Sequence, residues 1–506
     1  MYALTADATR YLETYTMKAG LSGTVLMENA GRSVAEEIIR RFPDRETTVL
    51  VMCGKGNNGG DAVVCARWLL ASGYKSVTLF YTGERSSMGH ELSLQITVLS
   101  RAFPGVRFGG IKDKDYSYVN RRYDVIVDGM YGIGLNRPLS DDDSRMIRYL
   151  NSKSGYKVAV DIPSGIGATG GSVQGEAFRA DLTVTFGSSK TGMYFGQGRL
   201  YCGEIVVSDI GFLPTGYDYI TDKLFICDSK YYRETADAVL VRRDETGHKG
   251  TFGTVGIVVS TNGMMGASIL AARAAYRAGC GLVRIFCPEK HAGFFNVSVP
   301  EAVVVPYKSD EAVSALSEFT GSVDALLIGP GLREDGAGKL LVREVLSQET
   351  PVVADAGALN IIARSPKILA KRKCVCVITP HLGEMAKLCG TEIDKVSEKR
   401  AAYTKEFSEH YKISMAVKSD VTLLSLRDGP DGMKMCLAVT GNSGLATAGS
   451  GDVLAGVIAS LIAQGNTPDN SLLYGVLIHG AAAEKAATDE ESRRRMMAGD
   501  IIDNLF

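Results

Sequence analysis

Short β-rich runs alternate with helical stretches twice along this chain, and no other feature constrains its fold as tightly. Thr48–Cys53 reads as a buried strand, Ala62–Ser72 as a helix and Ser76–Tyr81 as the next strand. Asp124–Val127, Lys157–Val160, Leu182–Phe186 and Glu204–Ser208 continue the series. Around 213–235 the pattern lapses into Leu-Pro-Thr-Gly-Tyr-Asp and polar, Tyr-rich sequence. It restarts with a strand over Thr254–Val259 and an Ala-rich helix over Met265–Ala278, small enough to pack tightly on a sheet. Strands follow at Leu282–Phe286, Ala325–Ile328, Val352–Ala354, Cys374–Ile378, Met415–Val417 and Val421–Leu424. Two helices, 453–463 and about 470–487, close the chain. Such alternation implies crossover units and a parallel sheet with helices on both faces. The chain therefore reads as two α/β domains, 1–214 and 225–506, each with its own site.

Composition narrows the function classes. With 506 residues, each domain is long enough to bury a core. A net charge of −1 leaves no basic excess to hold nucleic acid or an anionic membrane. The longest apolar runs, near 453–463, are too short to span a bilayer. The ten cysteines form no CxxC pair, and Cys374 and Cys376 alternate in a strand-like run. Metal clusters and disulfides are not expected, and a reducing cytoplasm fits. The first residues lack an apolar h-region and carry Asp7 and Glu13, so no signal peptide is expected. The helical faces leave a homo-oligomer open.

Three loops of the first domain pair an acid with glycine or proline. Gly54-Lys-Gly-Asn-Asn-Gly-Gly-Asp61 follows a strand and opens a helix, where backbone N–H groups can cradle a diphosphate. It is neither a Walker loop nor a GxGxxG fingerprint, and alone it proves little, since a tight turn can read the same way. Asp128 ends one strand before Gly-Met-Tyr-Gly-Ile-Gly-Leu-Asn-Arg-Pro138, and Asp161 ends another before Ile-Pro-Ser-Gly165. A single strand-end Asp is usually a cap. Parallel strands, however, set their carboxyl ends on one edge, where open α/β sheets bind ligands, so these acids should converge.

This constellation, with Met27-Glu-Asn-Ala-Gly31 upstream, resembles the epimerase domain that acts on hydrated nicotinamide dinucleotides, NAD(P)HX, over about residues 1–212. The resemblance implies a Rossmann-like three-layer sandwich. It implies that the hydrate is bound through Asn57, Asn58, Gly59, Gly60 and Asp61 and through Asp161. Gly132, Ile133, Gly134, Leu135, Asn136, Arg137 and Pro138 are implied to complete the binding set. It also implies a potassium ion (K+) held by Asn58, Asp128 and Ser164, since oxygen ligands with one formal negative charge suit a hard, weakly charged cation. Asp161 is the candidate acid/base. The hydrate is a hemiaminal, and proton transfer at its hydroxyl permits ring opening or hydroxide loss, and hence inversion.

The second domain ends in Gly441-Asn-Ser-Gly-Leu-Ala-Thr-Ala-Gly-Ser-Gly-Asp452, followed at once by an apolar helix. A helix start offers unpaired N–H groups to an anion, and glycines let a phosphate approach. An acid there repels phosphate, but makes sense if Asp452 takes a proton from a hydroxyl about to be phosphorylated. Taken alone, Asp452 is as readily a helix cap. It is accompanied by His248-Lys-Gly-Thr-Phe-Gly253, Asn262-Gly-Met-Met-Gly-Ala-Ser268, Ile328-Gly-Pro-Gly-Leu332, Asp355-Ala-Gly-Ala-Leu359, Thr379-Pro-His-Leu-Gly-Glu384 and Lys418-Ser-Asp-Val-Thr422.

In this order the motifs resemble the ribokinase-like, ADP- or ATP-dependent NAD(P)HX dehydratase domain, over about residues 235–500. The fused pair is similar to the bifunctional NAD(P)H-hydrate repair family of prokaryotes. That implies nucleotide contacts from Lys418, Ser419, Asp420, Val421, Thr422 and Gly451, and hydrate contacts from Ala267, Gly331, His381 and Asp452. It implies magnesium (Mg2+) with ADP or ATP; fusion of both domains leans towards ADP. The implied substrates are NADHX and NADPHX with an adenine nucleotide. Three positions depart from the family's pattern: Gly357 stands where a second acid is usual, Leu382 replaces a proline, and Ser419 replaces a glycine in a loop that could need positive φ. Two other readings stand beside this one. The second domain is then a vitamin or sugar kinase, or the first is a binding module without chemistry; the presence of Asp61, Asp128 and Asp161 argues against the latter.

Overall fold

The computed structural model describes residues 1–82, 88–110, 119–240, 243, 245–260, 264–428 and 432–506. It divides into two compact units, Met1–Leu224 and Phe225–Phe506. Among the described residues no helix is long and apolar enough to cross a membrane. All ten cysteines are free.

The first unit begins with β1 (Tyr2–Leu4), α1 (Ala6–Lys18), α2 (Gly23–Arg41), β2 (Thr48–Cys53), α3 (Asn57–Ala71), β3 (Ser76–Tyr81), α4 (His90–Ala102) and β4 (Arg107–Gly110). It continues with β5 (Val125–Gly129), α5 (Asp141–Ser152), β6 (Tyr156–Val160), β7 (Leu182–Phe186), β8 (Ser189–Lys190) and β9 (Glu204–Ser208). Its sheet runs β4-β3-β2-β5-β6-β7-β9, parallel throughout. Val49 and Val51 face one apolar cluster, Leu50 and Met52 the other. Strands buried on both faces read as continuous apolar runs, which is why β2 is so plain in the sequence. The strand order reverses between β2 and β5, and such a switch point opens a crevice at the carboxyl ends.

The division between units falls within β10 (Leu224–Cys227). The second unit then holds α6 (Ser229–Thr235), β11 (Thr254–Val258), α7 (Met265–Arg277), β12 (Leu282–Pro288), α8 (Ala292–Ser298), β13 (Val303–Tyr307), α9 (Ala312–Thr320) and β14 (Ala325–Ile328). Next come α10 (Gly336–Ser347), β15 (Val352–Ala354), α11 (Ala356–Ala363), β16 (Cys376–Ile378), α12 (Leu382–Cys389), α13 (Ile393–Glu398) and α14 (Arg400–Tyr411). The chain ends with β17 (Ser414–Val417), β18 (Thr422–Asp428), β19 (Gly432–Ala438), α15 (Ser450–Ala463), α16 (Pro468–Ala486), α17 (Glu490–Arg495) and α18 (Ala498–Asp503). Here the order is β13-β12-β11-β14-β15-β16-β17-β18-β19-β10, parallel except where β18 meets its two neighbours. The switch point lies between β11 and β14.

Several expected elements need correction. The helix expected from Ala62 starts at Asn57, so NNGGD is the first helical turn and not a loop. A Cβ on Gly59 would collide with the Gly54 carbonyl, and one on Gly60 would lie 2.5 Å from Met27. These glycines permit close packing. The strand expected at 374–378 begins only at Cys376, although Cys374 is also buried. Two short helices, α17 and α18, follow the pair expected to close the chain. Helix α7 packs not only on the sheet but on α15, where a Cβ on Gly456 would collide with the Ala271 carbonyl.

Candidate functional site

A cavity of about 720 Å³ lies within the first unit. Its walls bring together Asn57, Asn58, Asp61, the run 132–137 and Asp161. Gly59, Gly60 and Pro138 are not among its lining residues. Asp161 stands just past β6 at φ 66, its N–H donating to the Val184 carbonyl while the Ile162 N–H closes a tight turn onto the Val160 carbonyl, both at 2.8 Å. Such backbone in a non-glycine residue costs about 1–3 kcal/mol and marks a position the surroundings over-determine. Those surroundings centre on Lys190, which is fully buried and ion-paired with the Asp161 carboxylate. Its Nζ also donates to Thr185 Oγ1 (2.8 Å) and the Ser188 carbonyl (3.2 Å), and Thr185 Oγ1 donates onward to Asp161 Oδ1 (3.1 Å). A lysine buried this deeply is tolerated only when paired.

Burial, reinforced by Asp161 and Glu13, holds the Asp61 carboxyl well above its ordinary range. Burial and Asp161 likewise raise Glu13, which reaches the cavity from α1. The cavity thus sets the lysine-paired Asp161 beside two carboxyls, Asp61 and Glu13, that burial pushes towards keeping their protons.

Behind the cavity wall, Asp128 is fully buried. Ser164 donates to it from Oγ (2.7 Å) and from its backbone N–H (2.8 Å), and the Met130 N–H adds a third bond at 3.1 Å. The Tyr131 N–H donates to Ser164 Oγ (2.8 Å), and Asn58 Nδ2 donates to the Tyr131 carbonyl (3.0 Å). Burial pushes the Asp128 carboxyl up to about 6 despite these donors. Among the described residues no lysine or arginine forms an ion pair with it. One buried carboxylate beside the Ser164 hydroxyl and the Tyr131 carbonyl is a donor set of the kind that suits a monovalent ion of low charge density.

In the second unit the carboxyl-edge loops converge on Asp355, just past β15. Lys418 Nζ donates to both its oxygens, at 2.8 and 3.1 Å. A Cβ on Gly451 would lie 3.3 Å from that Nζ and 3.7 Å from Asp355 Oδ2, so the start of α15 abuts the pair. The next residue is Asp452, whose carboxyl is pushed up to about 6 by burial and by Asp355, while Lys418 pulls it down. Among the described residues no backbone acceptor meets the N–H of Gly451 or Asp452, the open donors of a helix start. His381 caps α12: its Nδ1 accepts from the Gly383 N–H (3.0 Å), and Glu384 Oε2 accepts from the His381 N–H (2.9 Å). With Nδ1 accepting, Nε2 carries the proton and faces Glu384 Oε1 at 3.6 Å. Burial, then Lys418, depress the His381 imidazolium; burial and Asp355 push Glu384 up to about 7. Ser268 Oγ donates to the Pro330 carbonyl (3.0 Å), joining the first turn of α7, with Ala267, to the loop of Gly331.

Comparison with known proteins places this geometry. Residues 255–505 match the NAD(P)H-hydrate dehydratase family, and residues 23–192 match the YjeF-related protein N-terminus. The bifunctional NAD(P)H-hydrate repair enzyme Nnr of Moorella thermoacetica is 34% identical, over 100% of this chain and 96% of its own. The enzyme of the same name in Coxiella burnetii is 32% identical over 98% and 97%, and that of Escherichia coli 32% over 96% and 89%. The chain belongs to the bifunctional NAD(P)H-hydrate repair enzyme family. A solved dehydratase from Bacillus subtilis, co-crystallised with ATP and Mg2+, is 33% identical over 54% of this chain and 94% of its own, with a TM-score of 0.47.

For a member of the repair family, some expected residues sit differently than their motifs suggest. Asp420 turns its carboxylate to the buried Arg400 guanidinium (3.3 Å) and to Ser419 Oγ (2.7 Å). Val421 is buried, and Thr422 opens β18. The 248–253 motif precedes β11, and a Cβ on Gly253 would collide with the Ala463 carbonyl. It therefore packs at the far end of α15 from Asp452, roughly 17 Å along the helix at about 1.5 Å per residue. Asn262 and Gly263 lie outside the described residues.

The three departures resolve differently. Ser419 does not take positive φ, since the non-glycine residues that do are Asp161, Ala356 and Lys412 among the described residues. Leu382 is simply the first residue of α12 after its cap. At Gly357 a Cβ would lie 2.5 Å from the Leu332 carbonyl oxygen, so an acid there would require the backbone to shift. Sequence reasoning missed Lys190, Glu13 and Arg10. Only the burial of a charge, invisible in the sequence, marks Lys190.

Proposed function

We propose that this chain repairs hydrated NADH and NADPH, its first unit exchanging the R and S hydrates and its second dehydrating the S form at the expense of ADP or ATP. The observation that carries the reading is Asp452. It is a carboxyl of raised proton affinity set beside open helix-start N–H groups and a lysine, as a base poised next to a phosphate requires. Full-length similarity to enzymes named for this repair supports the pairing of the two activities in one chain.

In the first unit, Asp161 accepts the proton of the hemiaminal hydroxyl. The carbon–nitrogen bond opens to an aldehyde, and Asp61 delivers a proton to the ring nitrogen. Rotation of the aldehyde and the reverse transfers close the other isomer. Lys190 orients Asp161 throughout. Potassium would be held by Asn58, Asp128 and Ser164 and would neutralise the buried carboxylate behind the 131–132 backbone. In the second unit, Asp452 takes the hydroxyl proton as that oxygen attacks the terminal phosphoryl group and displaces AMP from ADP, or ADP from ATP, with Lys418 and the Gly451 and Asp452 N–H groups facing the phosphate charge. Phosphate then leaves where hydroxide could not, and loss of a ring proton restores the dihydronicotinamide. Asp355 is engaged by Lys418, and among the described residues no group of three acids, histidines or cysteines is arranged to hold a metal. Magnesium would come in on the nucleotide phosphates, beside the Asp355 and Asp452 carboxyls, and would supply neutralisation of phosphate charge.

The test is a mixed R and S hydrate incubated with magnesium, potassium and each adenine nucleotide in turn. Full recovery of reduced-nicotinamide absorbance supports both activities. Recovery that stops at the S fraction removes the epimerase reading, and a stable phosphorylated product without recovery supports the kinase alternative.

A further inference from the structure

One face of α16 grips both ends of the glycine-rich loop. At the near end, Glu484 Oε1 accepts from the Gly441 N–H (2.8 Å), and Asn442 Nδ2 donates to the carbonyls of Ala483 (2.7 Å) and Ala487 (3.0 Å). At the far end, Nε2 of the buried His479 lies 2.9 Å from the carbonyl oxygen of Ser450, the first residue of α15. A carbonyl only accepts, so Nε2 donates and carries the proton.

We infer that His479 is a positioning residue for nucleotide binding: by holding the Ser450 carbonyl it fixes the Ser450–Gly451 peptide plane and aims the Gly451 N–H at the phosphate. In a trans peptide the C=O and N–H point in opposite directions, so a donor that anchors one from inside the fold sets the other towards the site. Donation to the carbonyl also polarises the peptide and strengthens its N–H as a donor. The Gly451 N–H has no backbone acceptor among the described residues, and a Cβ on this residue would lie beside Lys418 Nζ and Asp355 Oδ2, so the peptide sits at the edge of that pair. Burial pushes the His479 imidazolium down to about 4, so the ring is neutral at physiological pH, with one proton to give. The inference rests on reading the Asp452 loop as the phosphoryl-transfer site.

The experiment compares wild type, H479A, H479M and H479Q in S-hydrate dehydration, with separate titrations of nucleotide and hydrate. Gln places an amide donor near the Nε2 position; Met fills the volume and donates nothing. H479A and H479M should raise the nucleotide KM about 10- to 100-fold while the hydrate KM stays within about twofold, and H479Q should recover to within about threefold of wild type. Epimerisation by the same proteins should not change. Inactive wild type would remove the underlying reading. Active wild type with H479A or H479M unaltered, or a folded H479Q as impaired as H479M, would overturn the positioning role alone. If Ala and Met both unfold the unit, H479Q still decides, because the donor it retains must sustain nucleotide binding.

Discussion

Each unit ends a parallel strand in an aspartate pinned by a lysine, and the two pairs are put to different use. Asp161 and its partner Lys190 both border the cavity, but the lysine side chain is only 1% exposed against 11% for the acid. In the second unit the burial is inverted: Asp355 is 3% exposed and Lys418 21%. The first arrangement presents a carboxylate to a ligand and hides the charge that steadies it. The second hides the carboxylate and presents the ammonium, leaving the proton chemistry to a neighbour, Asp452. One local motif therefore yields a base in one unit and an anion-facing cation in the other, decided by which partner the core encloses.

The sharpest way to break this comparison is to neutralise each proposed base. D161N should lower epimerisation about 10³-fold and leave dehydration of pure S hydrate intact, and D452N should do the reverse. Chiral separation of the hydrates and recovery of reduced-nicotinamide absorbance read the two rates, and loss of both together in either variant would contradict separable sites. Next in size is stability. K190M strands a buried carboxylate and should cost about 3–5 kcal/mol in denaturant unfolding of the first unit. K418M, at a half-open pair, should cost the second unit about 1–3 kcal/mol. Equal losses would remove the distinction in burial.

A third test uses pH. A base must be unprotonated to act, and Asp452 is held at about 6. Dehydratase kcat/KM should therefore fall on the acid side of about pH 6. Lys418 favours the charged form of Asp452, so K418M should move that limb to higher pH; an unmoved limb would separate the lysine from the base. The smallest effect concerns the ion proposed behind the first cavity. KCl in place of NaCl should raise the melting point of the first unit by about 2–4 °C, and S164A should erase the difference.

Much of the scaffold is legible in the sequence. Thr48–Cys53, Ser76–Tyr81, Leu182–Phe186, Glu204–Ser208, Ala325–Ile328 and Val352–Ala354 occupy the expected residues, because short apolar runs bounded by turn chemistry have few other fates. The start of α3 was hidden by Gly59 and Gly60, which disfavour helix by about 1 kcal/mol each yet are required there by the close approach of Gly54 and Met27. The acids at 61, 161 and 452 are marked by their loops. Their partners are not: Lys190 follows Asp161 across an intervening strand, and His479 lies a helix away from Ser450, so only tertiary packing joins them.

Helix α1 supplies one side of the first cavity through Thr9, Arg10 and Glu13, and Ile210 with Phe212 closes another. Both segments fall outside the span 23–192 that the family comparison delimits. A fragment trimmed to that span would keep all its catalytic loops and most of its sheet, yet lose two walls of the chamber. Losing Glu13 and the burial around it would remove part of what holds the Asp61 carboxyl above its ordinary range. Part of what keeps Asp61 protonated is thus contributed from outside the similarity span, and a minimal domain cut to that span would hold its loops with a carboxyl among them that gives up its proton more readily.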